Sequence, residues 1–188
     1  AATGPGGRIR DNRAFGRSSH YHAGTVGFFT GNMHFKDYPI PGEVTGGDTS
    51  PRYANPAHIM TQAREGVAFY GNPYGEACIG FYRRTFGQMV GDVRYEARKP
   101  ILFTGGLGFA DERHAKKREA VPGMLIVSVS GPAYPIGFGG GTASSGASST
   151  EEGDQNSVQR ADPERENCIN RVFQSCVELG NKNPVELV

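Results

Sequence analysis

Short apolar runs, each bounded by glycine, proline or charged residues, are the main pattern along the chain. In residues 22–30, β-branched and aromatic side chains are mixed with glycines, which predicts a strand with close backbone neighbours. Runs of the same kind predict further strands at residues 77–84, 100–105 and 124–130. The pattern therefore predicts several short strands connected by turns.

Two segments have the apolar spacing of amphipathic helices, and both begin with the same signal. Asn55 before Pro56, and Asp162 before Pro163, place an N-cap residue directly before a proline that the first helical turn accepts. The first helix should extend to about residue 68, and the second should end at Gly180. The apolar faces consist of Ile59, Met60, Ala63 and Val67 in the first helix, and of Cys168, Ile169, Val172, Phe173, Cys176, Val177 and Leu179 in the second.

The polar segments predict connections and one boundary. Residues 31–54 should be irregular, and residues 111–119 should form a charged turn. Residues 142–161 lack periodicity, and so long a loop in a compact domain predicts a functional lid. Strands interspersed with helices predict a mixed α/β fold. The chain turns polar near residues 92–99, which predicts two lobes, at residues 1–95 and 96–188.

Charge and cysteine content exclude several classes of protein. The 188 residues include 20 lysines and arginines against 19 aspartates and glutamates, so no broad field favours nucleic acid or an anionic membrane. Cys78, Cys168 and Cys176 are too widely spaced for a disulfide framework or a C-x-x-C metal site. No apolar run approaches the ~20 residues of a membrane span. We therefore expect a cytoplasmic protein.

Two glycine-rich clusters carry the first functional signal. Residues 4–11 (GPGGRIRD) and 137–149 predict loops whose backbone N–H groups could contact a phosphate. In the first cluster, Arg10 adds a delocalised positive charge and Asp11 a carboxylate for a divalent metal. The spacing matches neither a P-loop nor a dinucleotide fingerprint. An ordinary turn at the first cluster and a Gly/Ser linker at the second therefore remain as alternatives.

The histidines indicate no metal centre. His20 and His22 lie two residues apart and would share one face of a strand, but no third ligand follows at a suitable spacing. A surface pair is the better interpretation. No serine or cysteine stands in the setting of an activated nucleophile, so we expect no covalent catalysis from this chain.

Six segments, taken in order, resemble one enzyme family across essentially the whole chain. They resemble the synthetase region of the long, single-chain phosphoribosylformylglycinamidine synthases, within the aminoimidazole-ribonucleotide-synthetase superfamily. The segments are AATGPGGRIRD, AGTVGFFTGNMH, YGNPYGEACIGF, KPILFTGGLG, GPAYPIGFGGGTASSG and SVQRADPE.

The resemblance implies a reaction and its ligands. Enzymes of this family use ATP and Mg²⁺ to activate the formamide oxygen of formylglycinamide ribonucleotide, and ammonia from glutamine then gives the amidine, with release of ADP, phosphate and glutamate. The resemblance also implies an N-terminal α/β lobe that pairs with a counterpart lobe and a C-terminal α/β lobe over the site. The protein would act mainly by positioning and electrostatic stabilisation, as in other phosphoryl transfers.

The resemblance further implies roles for individual residues, with none of the catalytic groups in this chain. Asp11 matches a magnesium ligand. The substrate-binding set matches Arg10, Gly139, Gly140, Gly141, Ser144, Ser145 and Gln159. The nucleotide-binding set matches Ala1, Ala2, Thr3, Gly4, Pro5, Gly6, Gly7, Arg8, Ile9, Arg10 and Asp11, together with Ile79, Gly80 and Phe81.

Some of the family's motifs are absent from these 188 residues. They are a His-Asn-His-Pro motif expected before Ala1, an Asp-x-Gly-Ala-Gly-Gly segment expected after Val188, and the Cys-His-Glu triad of a glutaminase domain. We therefore expect a fragment that is inactive alone and that works with the other lobes and the glutaminase domain of the same chain. The alternative is a non-catalytic homologue that acts as a nucleotide-binding or regulatory module.

Overall fold

The computed structural model describes residues 2–44, 54–131 and 162–188. In these residues, three α-helices and two β-sheets form a mixed α/β fold, as predicted. The helices are α1 (Thr3–Arg13), α2 (Pro56–Tyr74) and α3 (Pro163–Glu178). The strands are β1 (His20–Thr30), β2 (Cys78–Thr85), β3 (Gly87–Val90), β4 (Val93–Glu96) and β5 (Ile101–Phe109).

The larger sheet has the strand order β2-β1-β5. Central strand β1 runs parallel to β2 and antiparallel to β5. β3 and β4 form a separate antiparallel hairpin, which turns at Gly91, a residue with a φ of +59°. The division into lobes at residues 95 and 96 stays a prediction, and strand pairing joins β1 to β5 across that position.

The predicted helices α2 and α3 are confirmed, with their caps. The Asn55 side chain accepts a hydrogen bond from the Ala57 N–H at 2.8 Å, and the Asp162 side chain accepts one from the Arg165 N–H at 3.2 Å. α2 extends past the predicted end at residue 68, because Tyr70 and Tyr74 bury their rings against α1 in its last turns.

Two apolar clusters hold the helices on one face of the larger sheet. The first joins Val26 and Phe28 of β1 to Met33 and to Met60, Ala63 and Val67 of α2. The second joins Ile9 of α1 to Tyr70 and Tyr74 of α2. The opposite face of the same sheet exposes apolar side chains. They include Tyr82, Ile101, Phe103 and Leu107.

The prediction of a loop at residues 4–11 is wrong, because all of these residues lie in α1. Glycine and proline disfavour a helix interior, but tertiary packing overrides this preference. Pro5 lies in the first turn, where no intrahelical N–H bond is lost. Buried Pro5, Gly6 and Ile9 then anchor α1 against the sheet and α2.

The prediction of a strand at residues 124–130 is also wrong. This segment has no strand partner among the described residues, and its side chains are exposed, with Leu125 at 88%. A β-rich composition favours a strand only where a neighbour supplies the hydrogen bonds. Two predicted connections are confirmed in the described residues: 31–44 form no helix or strand, and 111–119 hold a 3₁₀ turn at Glu112–His114.

Candidate functional site

The three glycines of α1 have different surroundings. Gly6 lies against the Tyr70 ring, which a Cβ at Gly6 would meet at 2.8 Å. Gly4 lies against Leu102 in the same manner. A side chain at Gly6 would collide with the Tyr70 ring, and one at Gly4 would displace Leu102. Gly7 differs, because a Cβ there would meet nothing within 4 Å.

Gly7 and Asp11 form the open stripe of α1. They are four residues apart and hence lie on the same side of the helix, one turn from each other. Asp11 is exposed, and among residues 2–44, 54–131 and 162–188 no basic side chain forms an ion pair with it. Gly7 therefore leaves the helix surface open one turn before Asp11.

Arg10 lies on the side of α1 that contacts α3. Its guanidinium Nη1 is 3.5 Å from Oε1 of Glu166, and Nη1 of Arg13 is 3.1 Å from Oε2 of the same carboxylate. Arg13 also lies over the Phe173 ring, with its Cζ atom 5.6 Å from the ring centroid. One glutamate of α3 thus holds two arginines of α1, and it fixes Arg10 beside the open stripe.

A cleft of about 310 Å³ opens at the C-terminal end of α1, next to Asp11. Its lining consists of Asp11, Asn12, Phe15, Ser19, Gly108, Phe109 and Ala110. The Ser19 hydroxyl donates to the Asn12 carbonyl at 2.6 Å and so ties the end of α1 to the start of β1. The cleft combines a carboxylate, an amide and two aromatic rings, which suits a polar ligand with a flat apolar part.

The two neighbouring histidines lie beside this cleft. The His20 ring stacks on Phe109 with ring centroids 4.8 Å apart, and the His22 ring meets the same phenylalanine edge-on at 6.3 Å. Both rings therefore share one face of β1, as the spacing predicts. No group of three or more histidine, cysteine, aspartate or glutamate side chains in the described part of the chain could hold a metal ion.

The second predicted nucleotide segment is placed on a different strand from the cleft. Ile79, Gly80 and Phe81 lie on β2, where Gly80 pairs with Thr25 and the Phe81 ring packs against Phe28 at 5.4 Å. The cleft lies at β5, so β1 separates it from β2. The structure therefore does not bring this segment to Asp11.

Several predicted site residues lie outside the described residues. They are Ala1 and the substrate-binding positions Gly139, Gly140, Gly141, Ser144, Ser145 and Gln159, together with the predicted lid at residues 142–161. Gln159 lies three positions before the N-cap of α3, the helix whose Glu166 holds Arg10.

Comparison with known proteins gives a consistent result along the sequence. The chain is 44% identical over 191 residues to phosphoribosylformylglycinamidine synthase of Dictyostelium discoideum and 41% identical over 189 residues to that of Homo sapiens. It is 43% identical over 189 residues to the probable chloroplastic/mitochondrial phosphoribosylformylglycinamidine synthase of Arabidopsis thaliana. Each match covers 98% of this chain. No protein-family model matches the chain.

The chain is a homologue of a segment of phosphoribosylformylglycinamidine synthase. The predicted resemblance is thereby confirmed. The chain spans about 14% of the length of the synthases from Dictyostelium discoideum and Homo sapiens. Most of a full-length synthase therefore lies outside the region that matches this chain.

Sequence reasoning missed part of the arrangement of the described residues. Glu76 and Tyr21 form a buried polar cluster with Arg8, and Phe109 and Asn12 line the cleft. Glu76 lies in the segment YGNPYGEACIGF, where the resemblance implies roles only for Ile79, Gly80 and Phe81, and the six segments do not include Tyr21, Asn12 or Phe109. The one available signal is general: a glutamate inside an apolar run, as in YGEACIGF, needs a buried cationic partner if the run is buried.

Proposed function

We propose that this chain is part of the synthetase region of a phosphoribosylformylglycinamidine synthase, where it helps to hold ATP, Mg²⁺ and formylglycinamide ribonucleotide. The observation that carries the proposal is the 98% coverage of the chain by relatives of that name at 41–44% identity. Six ordered segments, rather than one motif, agree with that family. The activity of the whole protein would be that of a carbon–nitrogen ligase in purine biosynthesis.

Magnesium would be held at Asp11. The exposed carboxylate of Asp11 fits this ion, because Mg²⁺ in phosphate-transferring enzymes commonly keeps several waters and binds one or two carboxylates plus substrate phosphates. The described residues offer no cluster of three ligands. A single carboxylate beside an open turn is what a metal–phosphate site of that kind requires from this segment.

The nucleotide would approach α1 along its open stripe. Gly7 leaves room there, and Arg10 stands beside it with its guanidinium held by Glu166. A fixed guanidinium can bind an oxyanion without first losing side-chain freedom. In this arrangement Asp11 would bind the nucleotide phosphates through Mg²⁺, and Arg10 would bind the ribonucleotide substrate.

The chemistry would consist of activation followed by displacement. ATP phosphorylates the formamide oxygen of formylglycinamide ribonucleotide, and ammonia released from glutamine displaces phosphate to give the amidine. The contribution of this chain is to orient the phosphates and to stabilise their charge. The remaining catalytic groups, including those that release ammonia, would come from other parts of the full-length protein.

The exposed sheet face supports the proposal that other lobes complete this fold. Ile101, Phe103 and Leu107 of β5 expose about half or more of their surface on the face away from the helices. An apolar surface of this kind on a soluble protein usually contacts another protein surface. We propose that further synthetase lobes and the glutaminase domain belong to the same polypeptide.

Membrane association has no support in the helices. None of those in residues 2–44, 54–131 and 162–188 is both long and apolar enough to cross a bilayer. Cytoplasmic localisation stays a prediction, and the name of the Arabidopsis thaliana relative places that protein in chloroplasts or mitochondria.

The proposal is tested with the complete polypeptide that carries this chain. Incubated with ATP, Mg²⁺, glutamine and formylglycinamide ribonucleotide, it should release ADP and form amidine in equal amounts, and omission of the ribonucleotide should abolish ADP release. Binding of nucleotide without any amidine formation would contradict the proposal and favour a nucleotide-binding module. The 188-residue chain alone should form no amidine.

A further inference from the structure

The guanidinium of Arg8 is buried in a polar cluster instead of facing the open stripe of α1. Its Nη2 pairs with Oε1 of Glu76, and the two side chains are 9% and 0% exposed. Its Nη1 donates to Oγ1 of Thr104 at 2.7 Å and to the carbonyl of Thr25 at 3.3 Å. One side chain of α1 thereby contacts β1, β5 and the second residue after the end of α2.

Glu76 has a second partner in the same cluster. The hydroxyl of Tyr21 donates to Oε1 of Glu76 at 2.5 Å. Burial raises the pKa of Tyr21, so its hydroxyl stays protonated and remains a donor at neutral pH. The carboxylate is therefore held from two sides, by a guanidinium and by a phenol.

Two glycines of the sheet make room for this pair. A Cβ at Gly24 would come within 2.2 Å of both Nη2 of Arg8 and Oε1 of Glu76. A Cβ at Gly106 would lie 3.4 Å from Cδ of Arg8. The backbone of β1 and β5 is thus shaped around the Arg8 side chain, which makes this position of the guanidinium a built feature of the fold.

The cluster determines how α1 is rotated about its own axis. Arg8 holds the sheet side of the helix, and Arg10 and Arg13 hold the α3 side through Glu166. Gly7 and Asp11 lie between these two sides. A rotation of α1 would therefore break the Arg8 contacts at the same time as it turned the Asp11 carboxylate.

We propose that Arg8 and Glu76 form a positioning pair that sets the direction in which α1 presents Asp11 to a magnesium-bound nucleotide, and that the Arg8 guanidinium binds no phosphate. This inference rests on the proposed function. It changes the role that family resemblance implies for Arg8: the residue lies in the nucleotide-binding stretch, but its side chain acts on the protein and not on the ligand.

Charge exchange in the complete polypeptide tests the pair. Arg8→Glu and Glu76→Arg should each raise the KM for ATP, at fixed saturating Mg²⁺, by about tenfold or more, because each places like charges together in a buried site. The double variant Arg8→Glu/Glu76→Arg should return the KM to within about threefold of the unmodified value. If Arg8 bound a phosphate, the double variant would not recover. A double variant whose KM for ATP stays high would therefore overturn the proposal.

A milder variant tests the proposal if the variants with reversed charges do not fold. Glu76→Gln keeps the shape of the side chain and removes its charge, and it should weaken the binding of ADP with Mg²⁺, measured by the ligand-induced rise in unfolding temperature. The exposed Arg64→Glu on α2 is the control and should leave this rise unchanged. Unaltered binding in Glu76→Gln would overturn the positioning role.

These readouts separate the two proposals. Failure of the proposed function appears in the unmodified polypeptide, as an absence of amidine formation while Mg²⁺ and ADP still bind. Failure of the positioning pair appears as an unmodified polypeptide that binds the nucleotide normally and a double variant that does not recover. An unmodified polypeptide that binds no nucleotide would overturn both.

Discussion

At the scale of single residues, the buried polar groups behave differently from what their sequence context predicts. Arg8 is next to Gly7 in the chain, but its side chain lies in the protein interior while Gly7 faces open space. Asp11 and Arg10 are also adjacent, and one is exposed while the other is paired with Glu166. The helical period of α1 causes this, since neighbours point about 100° apart.

Tyr70 gives a prediction about alkaline pH. Burial raises its pKa to about 12, and its hydroxyl is buried without a hydrogen-bond partner among the described residues. A pKa that is higher in the folded state than in the unfolded state means that the neutral phenol contributes stability at pH values below the ordinary value of 10. That contribution is lost as the pH rises through the folded pKa.

The measurement is the free energy of unfolding of the chain as a function of pH, followed by circular dichroism. As the pH rises from the ordinary tyrosine pKa to about 12, the free energy of unfolding of Tyr70→Phe should fall less than that of the unmodified chain. Tyr38→Phe, at an exposed position, should lose as much as the unmodified chain. Equal losses in the two variants would show that Tyr70 titrates as an ordinary tyrosine.

At the scale of elements, the sequence predicts those parts whose signals are local. The cap and proline pairs before α2 and α3 act within one turn, so both starts are correct. The position where a helix ends, and the formation of a strand, depend instead on residues that are distant in the sequence. α2 continues because Tyr70 packs on α1, and residues 124–130 form no strand because no described strand lies beside them.

The hairpin of β3 and β4 has a local turn signal in the sequence, although the strands predicted above do not include it. Gly91 followed by Asp92 is a recognised two-residue turn, and valines flank it on both sides. By contrast, no local pattern predicts α1, because Gly6 and Gly4 are explained by the distant Tyr70 and Leu102 side chains that they contact. The roles of Asp11 and Arg10 are implied by resemblance and stay predictions, and the cleft and the Arg8 cluster were not predicted.

Two adjacent glycines of α1 should respond to alanine in opposite ways. Gly6→Ala places a methyl group 2.8 Å from the Tyr70 ring and should destabilise the fold by about 1–3 kcal/mol. Gly7→Ala meets nothing within 4 Å and should stabilise the helix by about 0.5–1 kcal/mol.

Thermal unfolding of the two variants measures the difference. In the complete polypeptide, Gly7→Ala should also weaken binding of ATP with Mg²⁺, because the methyl group occupies the open stripe beside Asp11. A stabilised Gly7→Ala variant with unaltered nucleotide affinity would show that the ligand does not approach this stripe.

At the scale of the whole molecule, one face of the larger sheet exposes apolar side chains. The helices cover one side of the sheet, and Phe103 and Leu107 remain exposed on the other. The chain also matches only about 14% of the length of its relatives. Both observations agree with a segment that is completed by other parts of a larger protein.

The isolated chain should therefore self-associate through this face. Sedimentation of the chain should show dimers or larger species, and the double variant Phe103→Lys/Leu107→Lys should shift the population toward monomer, because charge opposes burial of the face. Val172→Lys, at an exposed apolar position of α3, is the control and should leave the distribution unchanged. A monomeric unmodified chain would contradict this interpretation of the sheet face.

A magnesium titration of ADP release by the complete polypeptide shows whether α1 presents Asp11 to a magnesium-bound nucleotide. Asp11→Asn should need about tenfold or more Mg²⁺ for half-maximal rate, with a lower maximal rate, because one anionic ligand is lost. Asp37→Asn, at another exposed aspartate, should follow the unmodified curve. An Asp11→Asn variant with the magnesium dependence and rate of the unmodified polypeptide would contradict this role of Asp11.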